Sequence, residues 1–509
     1  MKKRVERLRG MYDLLPDVYQ HQQWVIENVG QMLGHAGYAH VDSPVLEHSD
    51  LFHASFGQEL WQNLYAFRIH QRDLCLRPEY TASICRLYLD HYQQQALPQR
   101  FQYSGPIFRY EAPGRTRYRQ HTQLGIEIFG GQPVAADAEM LQLACEVLHG
   151  LGISGYRLEL GHVGVASGFI NRLHLDDHAA RLLLGLMEQI SRSEDGEKLA
   201  RERLETLYPA DQALSKVASE VSPTTAITGV DARHISSLLS GISISFGDDS
   251  VRREVVERFL WKLGRNEQRR QILNALEFLR ELHSVSGPPP SVFEAVAELL
   301  ERYGLDVEPL DELRQLVAIV EQCGVSSEQI QLNLALGRGV SYYTGLVFEI
   351  HAQGVDGSDA QLCGGGRYDR LMRAVGSPRD ISACGFAFGV ERLLAHIPSV
   401  NLPTVQATQA IVIPVSANEL PYALRVARVA REANHRVEVD INGHSIGAGL
   451  KQAAKKQIPL ALIVGEDEAA RNMVTVRDLE TGIERHVHCD ELASSLVSGF
   501  GEEQKEQLV

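Results

Sequence analysis

The chain has 509 residues, 44% hydrophobic and 23% charged, which excludes a disordered protein and leaves room for two to four domains. A formal net charge of −15 excludes a grip on nucleic acid through overall charge, so any polyanion must be met by local basic patches. The seven cysteines (Cys75, Cys85, Cys145, Cys323, Cys363, Cys384, Cys489) are odd in number and never spaced CxxC, which argues against a zinc ribbon or a disulfide framework.

The start, "MKKRVERLRGMYDLLP", is basic without an apolar stretch behind it, and no apolar run approaches the length of a membrane span; a cytoplasmic protein with no membrane partner is expected. Apolar Val18, Trp24, Val25, Val29, Met32 and Leu33 recur near helical spacing and predict a long helix stopped at Gly37. "AHVDSPVLEHSDLF" reads as a strand interrupted by Pro44, which favours an edge or interface position. From Leu74 to Gly131 the pattern is strand, helix, strand, loop, strand: "TASICRLYLDHYQQQ" is the helix, and "RFQYSGPIFRYE" and "TQLGIEIFGG" form a hairpin around the basic loop "APGRTRYRQH". Residues 151–330 change to helical segments separated by "SEDGEK" and "SGPPPS", so a mostly helical insertion is expected there. "GLVFEIHA", "CGGGRYDRLMRAVG" and "GFAFGVERLLAHI" return to strand, turn and helix over 331–398. After the linker "PSVNLPTVQATQ", strands alternate with helices over 408–495, which predicts a small α/β domain with a partly parallel sheet.

Short basic or glycine-rich motifs are weak alone, but here six occur in order: "LRPEYTA" (76–82), "FRYE" (108–111), "RYRQHTQLGIEIFG" (117–130), "GRGVSYYTG" (337–345), "CGGGRYD" (363–369) and "GFAFGVERL" (385–393). At these residues the chain resembles the histidine–tRNA ligases, class II aminoacyl-tRNA synthetases, over nearly its whole length. The resemblance implies a multidomain α/β and α+β fold. Its parts are an antiparallel-sheet catalytic domain in two pieces (1–150 and 331–398), the helical insertion, and a C-terminal α/β anticodon-binding domain. It also implies ATP with Mg2+, histidine and tRNA(His) as partners, and a homodimer formed through "HVDSPVLE".

Attack of a carboxylate on the α-phosphate of ATP brings two anions together, so fixed guanidinium groups aimed at the phosphoryl oxygens lower the barrier. Arginine suits this because it stays charged and presents a planar fork of donors. By resemblance, Arg109 and Arg338 take the α-phosphate and carboxylate from opposite sides, Arg392 meets the γ-phosphate, and Phe108 or Phe388 offers an adenine platform. Arg117 and Glu111 complete the ATP-binding set. Glu79, Thr81 and Gln123 are implied as amine and carboxylate contacts of histidine, Glu127 and Tyr343 as partners of its ring, with Tyr342 and Tyr368 alongside. The bland reading of Arg392 is a helix-surface ion pair with Glu391 or a neighbour; that of Tyr342 and Tyr343 is strand alternation, one ring inside and one outside. No metal ligands can be named, and "HVHC" (486–489) cannot close a tetrahedron alone. Lys451, Lys455 and Lys456 on one helix form a local patch for tRNA phosphates or a solvated face.

Three departures from the family pattern stand out: Tyr80 where bacterial relatives commonly carry glycine, Ser341 where aspartate is usual, and a loop "APGRTRYRQ" without the usual glutamine. A second reading is the regulatory subunit of ATP phosphoribosyltransferase, a synthetase-like histidine sensor, which "LELGHVGVASGFI" (158–170) resembles. Such subunits generally lack the C-terminal domain and parts of the catalytic set present here. A threonine, proline or glycine enzyme would lack the two histidine signatures.

Overall fold

The structure, a computed structural model, describes residues 5–53, 63–110, 118–173, 175, 179–180, 183, 196–207, 268–336, 342–354, 357, 359–404 and 407–497. Contacts divide the chain into two units, Met1–Pro403 and Thr404–Val509.

The first unit opens with the helix expected from apolar spacing, α1 (Pro16–His35). Pro16 stands in its first turn, where no donor is lost, and Val25, Val29 and Leu33 are buried. Gly37, at φ +88°, ends it in a conformation that favours glycine. Pro44 splits the strand predicted around it. β1 (Ala39–His40) joins the edge of a large sheet, and β2 (Leu46–His48) enters a separate three-stranded sheet with β3 (Ala66–Ile69) and β4 (Arg72–Leu76), in the order β2-β4-β3. Helix α2 (Thr81–His91) leads to the expected hairpin, β5 (Gln99–Phe108) and β6 (Gln120–Phe129), in unbroken antiparallel register from Gln99–Phe129 to Phe108–Gln120.

Next come α3 (Pro133–Gly150), β7 (Arg157–His162), α4 (Val163–Arg172), β8 (Ser286–Gly287), α5 (Pro289–Tyr303), α6 (Glu308–Gln322) and β9 (Ile330–Asn333). β10 (Leu346–Gln353), β11 (Asp359–Arg367), α7 (Asp369–Ala374), β12 (Ala383–Gly389) and α8 (Val390–Leu394) complete the unit. The large sheet has nine strands in the order β1-β5-β6-β12-β11-β10-β7-β9-β8, antiparallel except at β1–β5 and β7–β9. β7 stands between β10 and β9, so the stretch expected as a helical insertion opens with a strand of the large sheet, and its helices begin at Val163.

Side chains alternate across a strand, and this alternation gives the sheet two different faces. Leu124, Ile126 and Ile128 of β6, Phe386 and Phe388 of β12 and Phe348 of β10 join Val25 and Val29 of α1 and Leu141 of α3 in the main core. On the opposite face Phe101, Tyr103, Ile107, Phe129 and Ala383 pack with Tyr80, Ile84 and Tyr88 and with Tyr368, Leu371 and Met372. This second layer is rich in phenols and leaves the rest of its face to polar groups.

The second unit matches the predicted α/β alternation: β13 (Ala410–Pro414), α9 (Leu420–Glu432), β14 (Val437–Val439), α10 (Ile446–Lys455), β15 (Leu460–Val464), β16 (Met473–Asp478) and β17 (Glu484–His488). The order is β14-β13-β15-β16-β17, parallel over the first three strands and antiparallel over the last three. Among described residues of both units, no helix is long and apolar enough to cross a membrane.

Candidate active site

The hairpin β5–β6 and strand β12 set the site. Tyr103, Gly105 and Ile107 pair with Gly125, Gln123 and His121, and Glu127, Gly125 and Gln123 pair in turn with Gly385, Ala387 and Gly389. These residues share one face, so β6 lays His121, Gln123 and Glu127 along a single line. At 3.3 Å per residue the line from His121 to Glu127 is about 20 Å long. Three of the glycines leave no room for a Cβ: on Gly385 it would collide with the Glu127 carboxylate, on Gly105 with the Tyr80 hydroxyl, and on Gly125 with the Phe386 carbonyl.

At one end of the line stands Glu127, only 1% exposed. Tyr103 donates its hydroxyl to Oε1 at 3.1 Å and Tyr368 donates to Oε2. Burial lifts the carboxyl to about 8, the charge of Glu79 works the same way, and the hydroxyls of Tyr368, Thr81 and Tyr103 oppose it. Tyr342 lies edge-on to Tyr368, with ring centroids 5.7 Å apart, and its ring is 4.9 Å from that of Tyr343. Tyr342 is buried and Tyr343 half-buried, and both pack with the phenol layer rather than on opposite sides of it.

Glu79 is buried and accepts from the backbone N–H of Thr81 at 2.8 Å and of Ala82 at 2.9 Å, which caps α2. Burial pushes its carboxyl up, and those bonds together with the charge of Arg109 hold it down. Gln123, two residues from His121 and four from Glu127, has a buried Oε1 with no partner among the described residues, an acceptor left over for a ligand.

At the other end, Arg109 donates from Nε to the Pro78 carbonyl at 2.8 Å, and Arg392 donates to the Gln361 carbonyl at 2.7 Å. Both charges bear on His121, whose imidazole is pushed down to about 3, by burial first and then by Arg109 and Arg392. Two guanidinium groups 283 positions apart in sequence are thus brought around one neutral ring.

Of the remaining predicted residues, Arg338, Glu111 and Arg117 lie outside the described residues. Phe388 is corrected as an adenine platform: it pairs with Leu124, has the parity of the helix-packed face and is fully buried in the main core. Phe108 ends β5 half-buried, but it has the parity of Gln102, whose amide reaches back to Gly30 in α1, not that of the polar line. The ring that does lie on that line is His121. Arg392 is not simply a partner for its neighbour either, because the Glu391 carboxylate is taken by Tyr12, Gln22 and Thr122. Lys451 and Lys455 are exposed on α10, while Lys456 is tied to Glu438 at 2.6 Å.

The sequence motifs assign no role to His121 or Tyr103, and Glu391 enters there only as an ion-pair partner for Arg392. His121 was within reach, since it stands two positions before Gln123 and six before Glu127 in a strand. Tyr103 sits in no motif and is found only through the register of β5 with β6. The arrangement as a whole offers two fixed cations at one end for phosphoryl oxygens, and at the other a carboxyl ringed by hydroxyls, which suits a small ring bearing N–H groups.

The family profile described as Histidyl-tRNA synthetase matches residues 10–232 and 236–393, and that described as Anticodon binding domain matches residues 409–498. The chain is similar to the histidine–tRNA ligase of Pyrococcus furiosus (29% identical over 491 residues, 96% of this chain and 98% of the relative). It is equally similar to that of Archaeoglobus fulgidus (29% over 497 residues, 97% and 100%). Its fold is like that of the apo S. aureus histidyl-tRNA synthetase, with TM-score 0.62 and 20% identity, covering 97% of this chain and 100% of that one. A Bacillus halodurans C protein described as an ATP phosphoribosyltransferase regulatory subunit/histidyl-tRNA synthetase gives TM-score 0.60 at 21% identity, covering 90% and 98%. With its catalytic face, its second unit and nearly its full length accounted for in this way, the chain belongs to the histidyl-tRNA synthetase family.

Proposed function

We propose that the chain is a histidine–tRNA ligase: it joins histidine to ATP as histidyl-adenylate, then passes the histidyl group to tRNA(His). In the first step a carboxylate oxygen of histidine bonds to the α-phosphorus, the bond to the bridging oxygen of the β-phosphate breaks, and pyrophosphate leaves. In the second a hydroxyl of the terminal ribose attacks the acyl carbon and AMP leaves. The observation that carries this is the single line on β6, with Arg109 and Arg392 around His121 at one end and the Glu127 nest of phenols at the other.

In this reading the triphosphate lies at the arginine end, where Arg109 faces the α-phosphate and Arg392 the γ-phosphate. The neutral ring of His121 takes the purine, the role first expected of Phe108 or Phe388. Arg338 and Arg117 are the further cations that the family resemblance assigns to the same reaction. Glu127, Tyr342, Tyr343 and Tyr368 enclose the imidazole, and Glu79, Thr81 and Gln123 meet the amine and carboxylate. Magnesium would come with the nucleotide and offset its charge, and Glu111, two residues after Arg109, is the carboxylate that would help hold it.

We assign the helical segment within 151–330 as an insertion in a catalytic body running to 398, and 408–495 as the tRNA-anticodon module, working in the cytoplasm. A homodimer is supported by Leu46, Phe67 and Ile69, apolar yet exposed on the three-stranded sheet. The match of residues 409–498 to an anticodon-binding profile favours the enzyme over a histidine sensor. Histidine-dependent exchange of pyrophosphate into ATP tests the reaction: the ligase exchanges, and a sensor binds histidine without exchange. Other amino acids in parallel expose a threonine, proline or glycine enzyme, and Arg338→Ala should lower the rate at least a hundredfold if its charge serves the transition state as argued (about 10²–10³ per donor).

A further inference from the structure

Glu391, between the end of β12 and Arg392, is the most heavily used carboxylate near the site. Tyr12 donates to its Oε1 at 2.5 Å, Gln22 of α1 donates at 3.3 Å, and the Thr122 backbone N–H reaches both oxygens at 2.8 and 3.1 Å. Gln22 also donates to the Thr122 hydroxyl at 2.6 Å. Burial pushes the Tyr12 phenol far above its ordinary range, and the Glu391 charge adds to this, so Tyr12 remains a donor at every working pH.

Position gives these bonds their meaning. The last register pair between β6 and β12 is Gln123 with Gly389, and Thr122 lies one residue beyond it. There the chain after β12 turns into the five-residue helix α8, and the Glu391 side chain takes over as acceptor for the Thr122 N–H. The carboxylate therefore extends the ladder between the two strands by one rung, between the neighbour of His121 and the neighbour of Arg392. On its outer side the segment ahead of α1 closes over it. Tyr12 packs on Tyr118 with centroids 4.5 Å apart, and the Arg119 N–H donates to the Gly10 carbonyl at 2.8 Å and its guanidinium to the Arg9 carbonyl at 3.2 Å. One short segment thus grips the return strand of the hairpin and, through Tyr12, the start of α8.

We propose that Tyr12 and Glu391 form a latch through which the segment before α1 sets the spacing of Arg392 from Arg109 and His121, and so tunes the grip on the triphosphate. Both are positioning residues: neither reaches the polar line itself, and each acts through its neighbours. The latch rests on the nucleotide end assigned above, but it concerns binding and not the chemical step.

The test measures the dissociation constant of ATP by calorimetry in the full chain, beside the KM values for ATP and histidine in pyrophosphate exchange. Tyr12→Phe keeps the ring against Tyr118 and removes one hydrogen bond, and ATP binding should weaken about fivefold. Glu391→Ala should weaken it about twentyfold or more, and Glu391→Gln, whose amide oxygen still accepts from Thr122, should recover part of that. The histidine KM should change less than the ATP constant, because the ring of histidine is held at the Glu127 end, about 20 Å from His121 along β6. The latch is refuted if Tyr12→Phe and Glu391→Ala bind ATP like the wild type, or if ATP and histidine affinity fall together in step with a lower melting temperature. A wild-type chain that binds ATP and shows no exchange would overturn the proposed reaction, while the series of ATP constants would still decide the latch.

Discussion

Arg367, in the signature "CGGGRYD", is expected to hold the histidine end of the site from beneath, and its removal should be costly in a way that a second substitution repairs. Its guanidinium is 5% exposed and bound on every side: Nε and Nη2 fork onto Asp137 at 3.1 and 2.7 Å, Nη1 reaches Asp369 at 3.1 Å and Ser382, and Nη2 reaches the Pro133 carbonyl at 2.9 Å. Its own carbonyl accepts from the Thr344 N–H at 2.8 Å, and the next residue is Tyr368, which bonds Glu127. Arg367→Met removes the cation and leaves Asp137 buried, so the loss should be about 3–5 kcal/mol. Burial already raises the Asp137 carboxyl against the pull of Arg367, and without the arginine it rises further. A carboxyl raised in the folded state gives stability that is full below the unfolded value, near 3.8, and is lost as pH rises toward the folded one. The deficit of Arg367→Met should therefore widen with pH, by up to about 1.4 kcal/mol per pH unit. Arg367→Met with Asp137→Leu removes both charges and should regain most of the loss. All three tryptophans, Trp24, Trp61 and Trp261, precede Pro403, so their fluorescence in urea reports the first unit alone. A single variant within about 1 kcal/mol of wild type, or a double variant as weak as the two singles summed, would refute the brace.

Three further outcomes follow, two from the site face of the large sheet and one from the three-stranded sheet. Arg392→Ala should cut pyrophosphate exchange by about 10²–10³, with Arg392→Lys between, and in NMR titrations it should move the His121 imidazole upward from about 3, since one of the charges depressing it is gone. Glu127 is held near 8, so its contribution to stability is full below about 4.5 and declines as pH rises toward 8; Glu127→Gln should flatten that decline, of several kcal/mol, in urea midpoints taken from pH 5 to 9. Phe67→Glu, on the exposed face of the three-stranded sheet, should lower the sedimentation mass from dimer to monomer without changing the melting profile of the separated chain.

How much of this was legible beforehand depended on whether the controlling physics was local. The helix at 16–35, the hairpin around the basic loop and the alternation after residue 408 follow from apolar period and from proline and glycine punctuation, which act over a few residues. β7 was hidden because "YRLELGHV" runs straight into a helix, and a short apolar run does not declare which sheet it joins. The motifs pointed to Glu127 and Arg392 by type, but not to their partners. Tyr103 becomes a ligand of Glu127 only because Phe101 stands opposite Glu127 and Tyr103 opposite Gly125, whose missing side chain leaves room for the phenol. Phe388 was misplaced for the complementary reason: its motif marks the right strand, and one step of register puts the ring on the other face.

That one-residue alternation also explains how a strongly acidic chain can present cations to a polyanion. The cationic end of the face does not depend on the overall charge of −15; it depends on Arg109 and Arg392 being carried to the ends of β5 and β12, on either side of the β6 strand that bears His121. Burial and the charges of the two arginines keep the His121 imidazole neutral, and a protonated ring there would add a third positive charge to the pair. Tyr80 shows the same economy at the middle of β5, beside Tyr103 and Gly105. It is stacked 4.3 Å from Tyr103 and lies 3.9 Å beneath the Arg77 guanidinium, and its hydroxyl is bound to Asp42 at 3.0 Å. Gly105 is the strand position that makes room for it. Where bacterial relatives commonly carry glycine, this chain has filled the space between helix α2 and the sheet with a phenol. The histidine end is thereby walled by aromatic rings braced from behind, so the selectivity of Glu127 rests on side chains that have little freedom to move aside.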